Sequence, residues 1–361
     1  MDKSYKILHV VPDSINRPTN FYLGSTKDIK GRTEYLQSKG IKYDELLVPK
    51  RLDSLLLELI QNIDLTAYDT IFFELALYPK TMAYLREKYP HIKQIIRSIN
   101  ADFFHWLHYF YATLLYPNLI FSSKESLKQA LKLEWFRYAF ERLNMDITCA
   151  GYADFVLSIV EWEKEHYWRY VTDEKKVRNL PYFLPAIYTR ETVETLKKKQ
   201  CVGLMSSTAG TAPLMRNNLV NYANLVGRLG RQIPSWRFFI TGDMTWTKVR
   251  LPTRLEATGF LESPFPLLLE SRAMALMSDL GFGFKTKLLD AIQSRCYPLV
   301  PPNLFRRLPE EIKPYCLVVK KNSVPSFLKA LEASEAPYPP GNPNAVFREK
   351  AFTVLDEVFG D

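Results

Sequence analysis

The chain has 361 residues, with 47% hydrophobic and 24% charged side chains and a net charge of +9 at neutral pH. That is enough sequence for about two domains of roughly 150 residues each, and the ordinary apolar content makes a soluble globular protein the expectation. Nucleic acid is disfavoured as a partner for the surplus positive charge: there is no RNP-like basic-aromatic string, no zinc-finger spacing and no Lys/Arg run beyond Lys197-Lys198-Lys199.

Taken in chain order, KILHVVP (residues 6–12) reads as a buried first strand, its apolar run being too short for a signal peptide. A loop follows and carries Gly24 and Ser25, and then a helix over residues 28–40 is closed by Gly40. The strand IKYDELLV, the helix LDSLLLELIQNI, the strand YDTIFFEL, a helix from Lys80 to Lys88 and the strand HIKQIIRSI come next. Strands alternating with helices across short connections imply a parallel sheet covered on both faces.

From Phe103 to Ser123 no side chain is charged, which approaches the length that spans a bilayer. His105, His108, Pro117, Asn118 and the aromatic load favour a buried helix and turn, or a surface dipping into a membrane interface, over a transmembrane span. The helical pattern SLKQALKLEWFRYAFERLNMD (residues 126–146) then leads into ADFVLSIVEWEKEHYWRYV, a buried strand running into another helix.

Around residues 181–200 two prolines and a charged run interrupt the pattern. The alternation restarts with the strand CVGLMSS, a helix from about Asn217 to Arg231, the strand WRFFITGD, a short strand near EATGF, a helical PLLLESRAMALM, a glycine-bearing loop with its helix, and the strand YPLVPP. The economical reading is α/β with two doubly wound, Rossmann-like domains facing a central cleft: residues 1–185, a linker at 186–200, and residues 201–361, with a C-terminal helix placed to pack back on the first domain. Between residues 201 and 250 six basic side chains meet one acid, Asp243. A cationic region of this kind serves phosphorylated small molecules or an acidic membrane surface, or is solvated surface with no partner. The four cysteines, Cys149, Cys201, Cys296 and Cys316, form no CxxC pair, so neither a zinc site nor a disulfide framework is indicated and a reducing cytoplasm fits.

In doubly wound folds ligands bind beyond the carboxyl ends of the strands. GFGFKTKLLDA, residues 281–291, falls in such a place. Gly281 and Gly283 allow the backbone to approach a ligand, and the helix that follows offers free N–H groups to a phosphate. Lys285 and Lys287 add positive charge, and Asp290 can accept hydrogen bonds from ribose or sugar hydroxyls. The bland alternative is a structural turn, in which Asp290 favours the helix dipole and pairs locally with Lys287.

The order G-x-G-x-K-x-K-x-x-D-A, followed by CYPLVPP, resembles the donor-binding segment of GT-B fold glycosyltransferases of family 4, the "group 1" transferases. Further stretches fall where that family places them: KILHVVP and its glycine-bearing loop, IIRSINADFFH, ADFVLSIVEWEKEHYW, KVRNLPYFLP, FFITGD and TGFLES. The resemblance implies transfer of a sugar from a nucleotide diphosphate sugar to a glycan or lipid-linked acceptor, with retention and without cofactor or metal. It places Gly281, Gly283, Lys285, Lys287, Asp290, Arg216, Gly24, Ser25 and Phe260 on the donor side, with Thr258-Gly259-Phe260 reading the base through the backbone. It places Asn100, Asp102 and His105 at the catalytic centre, Asp102 orienting an acceptor hydroxyl or acting as base. Together with the cysteine usage, the uncharged 103–123 region and its basic neighbours, this reading makes a cytoplasmic protein in peripheral contact with the inner face of a membrane the expectation.

The departures open alternatives. The first acid of the family's E-x7-E pair is replaced by Phe282, the second is Asp290 rather than Glu, and the histidine position of R-x-H-N-x-E is Ile99. A catalytically silent GT-B scaffold that binds a sugar nucleotide or glycan, and a GT-B sugar-nucleotide epimerase, are therefore kept beside the transferase.

Overall fold

The computed structural model describes residues 5–115, 133–189, 197–205, 213–242 and 251–360. Two six-stranded sheets, both parallel, organise them. The first has the order β2-β1-β3-β4-β5-β6, with β1 at Lys6–Pro12, β2 at Lys42–Val48, β3 at Thr70–Phe73, β4 at Lys93–Ser98, β5 at Phe155–Ser158 and β6 at Val177–Asn179. The second has the order β12-β11-β10-β7-β8-β9, with β7 at Lys199–Leu204, β8 at Arg237–Thr241, β9 at Leu255–Gly259, β10 at Ser271–Ala275, β11 at Tyr297–Val300 and β12 at Leu317–Val318. In each sheet the chain builds outward on one side and then returns to the other side of its starting strand, so the order reverses between β1 and β3 and between β7 and β10. Loops at such switch points splay apart and leave a crevice.

The helices follow from the same pattern. They include α1 at Gly24–Ser38, α2 at Asp53–Gln61, α3 at Pro79–Lys88, α4 at Asp102–Leu115, α5 at Glu134–Tyr152, α6 at Pro213–Leu229, α7 at Phe265–Glu270, α8 at Lys287–Gln293, α9 at Val324–Ala333 and α10 at Pro343–Gly360, with shorter helical turns between them. Gly40 stops α1 with φ at +64°, a left-handed conformation that glycine adopts without strain. α1 begins four residues earlier than the periodicity indicates, so Gly24 and Ser25 form its first turn and do not belong to the preceding loop. The stretch PLLLESRAMALM, expected to be helical throughout, divides into α7 and the strand β10. Its Ala, Met and Leu favour a helix in isolation, but Ala273 and Met274 pair with both β7 and β11, and this central place in the sheet overrides local preference. α4 occupies the start of the uncharged 103–123 stretch; residues 116–132, including Pro117, Asn118 and the first part of the expected 126–146 helix, lie outside the described residues. Among the described residues no helix is long and apolar enough to cross a membrane.

One hydrophobic cluster joins the halves: Ile7, Phe72 and Leu157 beneath the first sheet connect through Tyr182, Phe183 and Phe347 to Met274, Leu288 and Leu289 beneath the second. α10 returns to the first half, where Phe359 stacks on Tyr35 at 5.9 Å between ring centres and lies 6.0 Å from Phe72. The carboxyl ends of the two sheets are thereby held face to face.

Candidate functional site

Both switch points open onto one cavity of about 350 Å³. From the first half it is lined by Pro18, Thr19, Asn20, Tyr22 and Leu23 before α1 and by Gly24 at its start, and from the second by Met205 after β7, Thr241 at the end of β8, Phe260 after β9, and Thr286, Lys287 and Asp290 at the start of α8. Phe260 is 57% exposed, an apolar ring left open beside a cavity rather than spent on the core. Gly24 fits because a Cβ there would lie 2.3 Å from Thr286 Oγ1; the glycine lets α1 close against α8.

The floor of the cavity is ionic. Asp290 is 3% exposed, and both its oxygens accept hydrogen bonds from the Lys27 ammonium, Oδ1 at 2.6 Å and Oδ2 at 2.7 Å. Lys287 donates to the Met205 carbonyl at 2.6 Å and Lys285 to the Phe282 carbonyl at 3.2 Å. Burial pushes the Lys287 ammonium down to about 8, against the pull of Asp290, and pushes Lys285 down to about 8 with help from the Arg307 charge. Both cations are poorly compensated by protein, a state that an arriving anion relieves.

The glycine loop before α8 is turned the other way. Three consecutive backbone amides donate to side chains of the first half: Gly281 to His108 Nδ1 at 2.7 Å, Phe282 to His105 Nδ1 at 3.4 Å and Gly283 to Glu163 Oε1 at 2.7 Å. Gly281 and Gly283 have φ of +90° and +77°, which this conformation of the loop requires, and a Cβ at Gly283 would strike Asn100 and the Ile99 carbonyl. The Asn100 amide nitrogen donates to the Phe282 carbonyl at 3.1 Å. The Phe282 ring lies among Phe104, His108 and Trp162, at 5.5, 4.7 and 5.3 Å between ring centres. Burial pushes His105 down to about 3 and His108 down to about 4, so both imidazoles are neutral and free to accept through Nδ1. Burial raises Glu163 to about 7, although backbone amides of Ala101 and Gly283 stabilise its charge; its second oxygen has no partner among the described residues.

The structure thus divides the residues singled out in the sequence. Gly24, Phe260, Lys287 and Asp290 line the cavity; Gly281, Gly283, Lys285, Asn100 and His105 form the seam beside it. Ser25 lines a smaller cavity of about 110 Å³ with Asp28, Arg32 and Glu74, and Asp102 is held by the Arg142 guanidinium, whose Nε donates at 3.0 Å. Arg216 belongs to the first turn of α6, and its side chain lies outside the described residues. Lys27, His108 and Glu163 were not anticipated. Lys27 pairs with a residue 263 positions away, which no local spacing signals, and Glu163 sits in the charged string EWEKE at the start of a helix, where nothing in the spacing sets it apart from its charged neighbours.

Beneath this site the first half carries a buried ionic cluster. Asp28 accepts from Arg32 at 3.0 Å and from Arg97 at 2.9 and 3.0 Å, while Glu74 accepts from Arg32 at 2.6 Å and meets His9 Nε2 at 2.5 Å. Burial opposes ionisation of Asp28, yet the two guanidiniums hold its carboxyl at about 2. Arg97 also donates to the Leu180 carbonyl at 2.6 Å, tying β4 to the segment that leaves the first domain.

No family profile matches the chain, and no curated protein matches it by sequence. Solved structures do. The Anabaena protein HepE in complex with UDP-glucose is 10% identical, over 98% of this chain and 95% of that one, with a TM-score of 0.56. Sucrose-phosphate synthase from Thermosynechococcus elongatus is 11% identical, over 98% and 96%, with a TM-score of 0.61. A Listeria monocytogenes protein provisionally named a UDP-N-acetylglucosamine 2-epimerase is 10% identical, over 99% and 97%, with a TM-score of 0.54. The chain has the GT-B fold. At these identities the likeness concerns architecture alone.

Proposed function

We propose that this protein is a glycosyltransferase that moves a sugar from a nucleotide diphosphate sugar to a glycan or lipid-linked acceptor, with retention and without a metal. The observation that carries the reading is the 350 Å³ cavity at the two switch points, where a buried carboxylate, Asp290, and the weakly compensated ammonium of Lys287 stand beside the open ring of Phe260. Asp290 accepts the ribose hydroxyls, Phe260 and its neighbours cover the base, and Lys287 and Lys285 with the first turn of α1 at Gly24 and Ser25 receive the diphosphate. When the bond from the anomeric carbon to the phosphate oxygen breaks, its electron pair goes to that oxygen, and fixed cations stabilise the charge that develops. The acceptor enters from the side of Asn100, Asp102 and His105. Neutral His105 acts there as a hydrogen-bonding group, and Asp102, held by Arg142, as an orienting one. Exposed Tyr111, Phe136, Tyr138 and Phe140 on α4 and α5 favour peripheral contact with the inner face of a membrane. A likeness to HepE, solved with UDP-glucose, supports a nucleotide sugar as donor.

The test is thermal unfolding against a panel of nucleotide diphosphate sugars, with Asp290→Ala beside the native protein. A ligand at about 100 times its Kd adds roughly 2.7 kcal/mol to stability. Stabilisation of the native protein and not of the variant is the expected result; no shift with any donor at millimolar concentration sinks the donor site. The Phe282 ring boxed at the place of an expected acid favours a second reading, a scaffold that binds without turnover, and the epimerase-like neighbour favours a third. Release of nucleotide only when an acceptor is present separates the transferase from both.

A further inference from the structure

Lys27 lies in the first turns of α1, in the first half, and its ammonium crosses the cleft to both oxygens of Asp290. The two side chains are 1% and 5% exposed. The rings of Tyr22, Tyr188 and Phe265 stand 5.6 to 5.8 Å from the same ammonium and complete its surroundings. A carboxylate this buried is costly to ionise without a partner, and a neutral acid offers fewer acceptor sites than an ionised one. One ammonium takes a single lone-pair site on each oxygen and leaves the others available, and Asp290 also lines the cavity.

We infer that Lys27 is a positioning residue for nucleotide binding: it pairs with the buried Asp290 side chain and fixes its two oxygens so that they accept the neighbouring 2′- and 3′-hydroxyls of a ribose. This rests on the donor-site reading above. Through Lys27 the first domain then takes part in reading the ribose, although the acid that would touch it belongs to the second domain.

The experiment is isothermal titration of the full chain with UDP, GDP and ADP, followed by the 2′,3′-dideoxy analogue of whichever binds tightest. In Lys27→Met the ribonucleotide is expected to bind at least tenfold more weakly, while the dideoxy analogue, which offers no hydroxyl to Asp290, changes less than twofold. Lys27→Arg, which keeps the charge, is expected to return the ribonucleotide to within about threefold of native. The double variant Lys27→Met/Asp290→Asn removes the buried charge together with its partner; it guards against misfolding and is expected to melt near the native temperature while failing to distinguish the two nucleotides. Equal loss of both nucleotides in Lys27→Met, or loss of neither, overturns the role given to Lys27. If the native protein binds none of the three nucleotides, the donor site itself falls and this inference with it.

Discussion

The first half of the chain buries the acidic and basic side chains of His9, Lys27, Asp28, Arg32, Glu74, Arg97, Arg142, Asp146 and Glu163, whereas among the described residues of the second half Asp290 is the acidic or basic residue buried to that degree, Lys285 and Lys287 being partly covered. The second sheet rests on apolar packing, with Val202, Leu204, Phe238, Ile240, Leu299 and Phe327 at its centre. The first sheet has an apolar layer of similar kind, Leu8, Val10, Ile71, Phe73 and Ile96, but fixes the region around the ends of β1, β3 and β4 with ions. Apolar contacts are tolerant of sliding, while guanidinium-carboxylate pairs demand one geometry. In the half proposed to face the acceptor the region around the ends of β1, β3 and β4 is therefore tied by ion pairs, and the half proposed to hold the donor keeps its charge at the cavity.

Removing one ion from the cluster is the strongest way to break this contrast. Arg97→Met leaves Asp28 with Arg32 alone and strips the Leu180 carbonyl of its donor. A loss of about 3–5 kcal/mol is expected, the range found when one partner of a buried pair is deleted. Adding Asp28→Leu should recover part of it, because the under-compensated carboxylate goes too, while Arg32 keeps Glu74 as its partner. Urea unfolding at pH 7 reads both. A loss below about 1 kcal/mol for Arg97→Met would mean that the cluster is not what holds the first half.

Much of this architecture is legible without coordinates, and the illegible part has physical causes. Buried parallel strands are continuous apolar runs, which is why β1, β3, β4, β7, β8 and β11 can be picked out of KILHVVP, TIFF, KQIIRS, KQCVGL, RFFIT and YPLV. β6 has three residues, VRN, too few to show a period, and β10 is written in helix-forming residues. At the site, Asp290 and the glycine loop announce themselves by composition, but the direction of the loop does not. Its amides point to His108, His105 and Glu163 because the two domains meet there, and the spacing of one loop carries no information about the surface opposite.

Glu163 sharpens the comparison, since it is a buried titratable group in contact with the other half. Its ordinary value of 4.5 rises to about 7, chiefly through burial. Between those two pH values the unfolded chain has released the proton and the folded protein still holds it, so stability contributed by the neutral acid is lost as pH rises. The gap corresponds to roughly 3 kcal/mol at about 1.4 kcal/mol per pH unit. Glu163→Gln cannot ionise and can still accept from Gly283, so relative to native it is expected to gain by up to that amount from pH 4.5 to 7 and no further above. Urea unfolding at pH 5, 6, 7 and 8 measures the difference; a flat difference across that series removes Glu163 as a buried titrating group.

The smallest effect is expected where charge is plentiful but wet. Glu357 on α10 accepts from Arg178 Nε at 2.6 Å, with the two side chains 45% and 29% exposed. Water competes for both ions, and ordering two long side chains opposes the gain, so Glu357→Ala should cost less than about 1 kcal/mol and lose that small effect in 1 M salt. The helix stays docked because Phe359 and Leu355 are buried against the first half, including the Tyr35 ring. A cost above about 2 kcal/mol for Glu357→Ala in thermal unfolding would place the junction between α10 and the first domain on surface charge, and the division between a half pinned by buried ions and a half packed by apolar contact would no longer describe how this chain is held together.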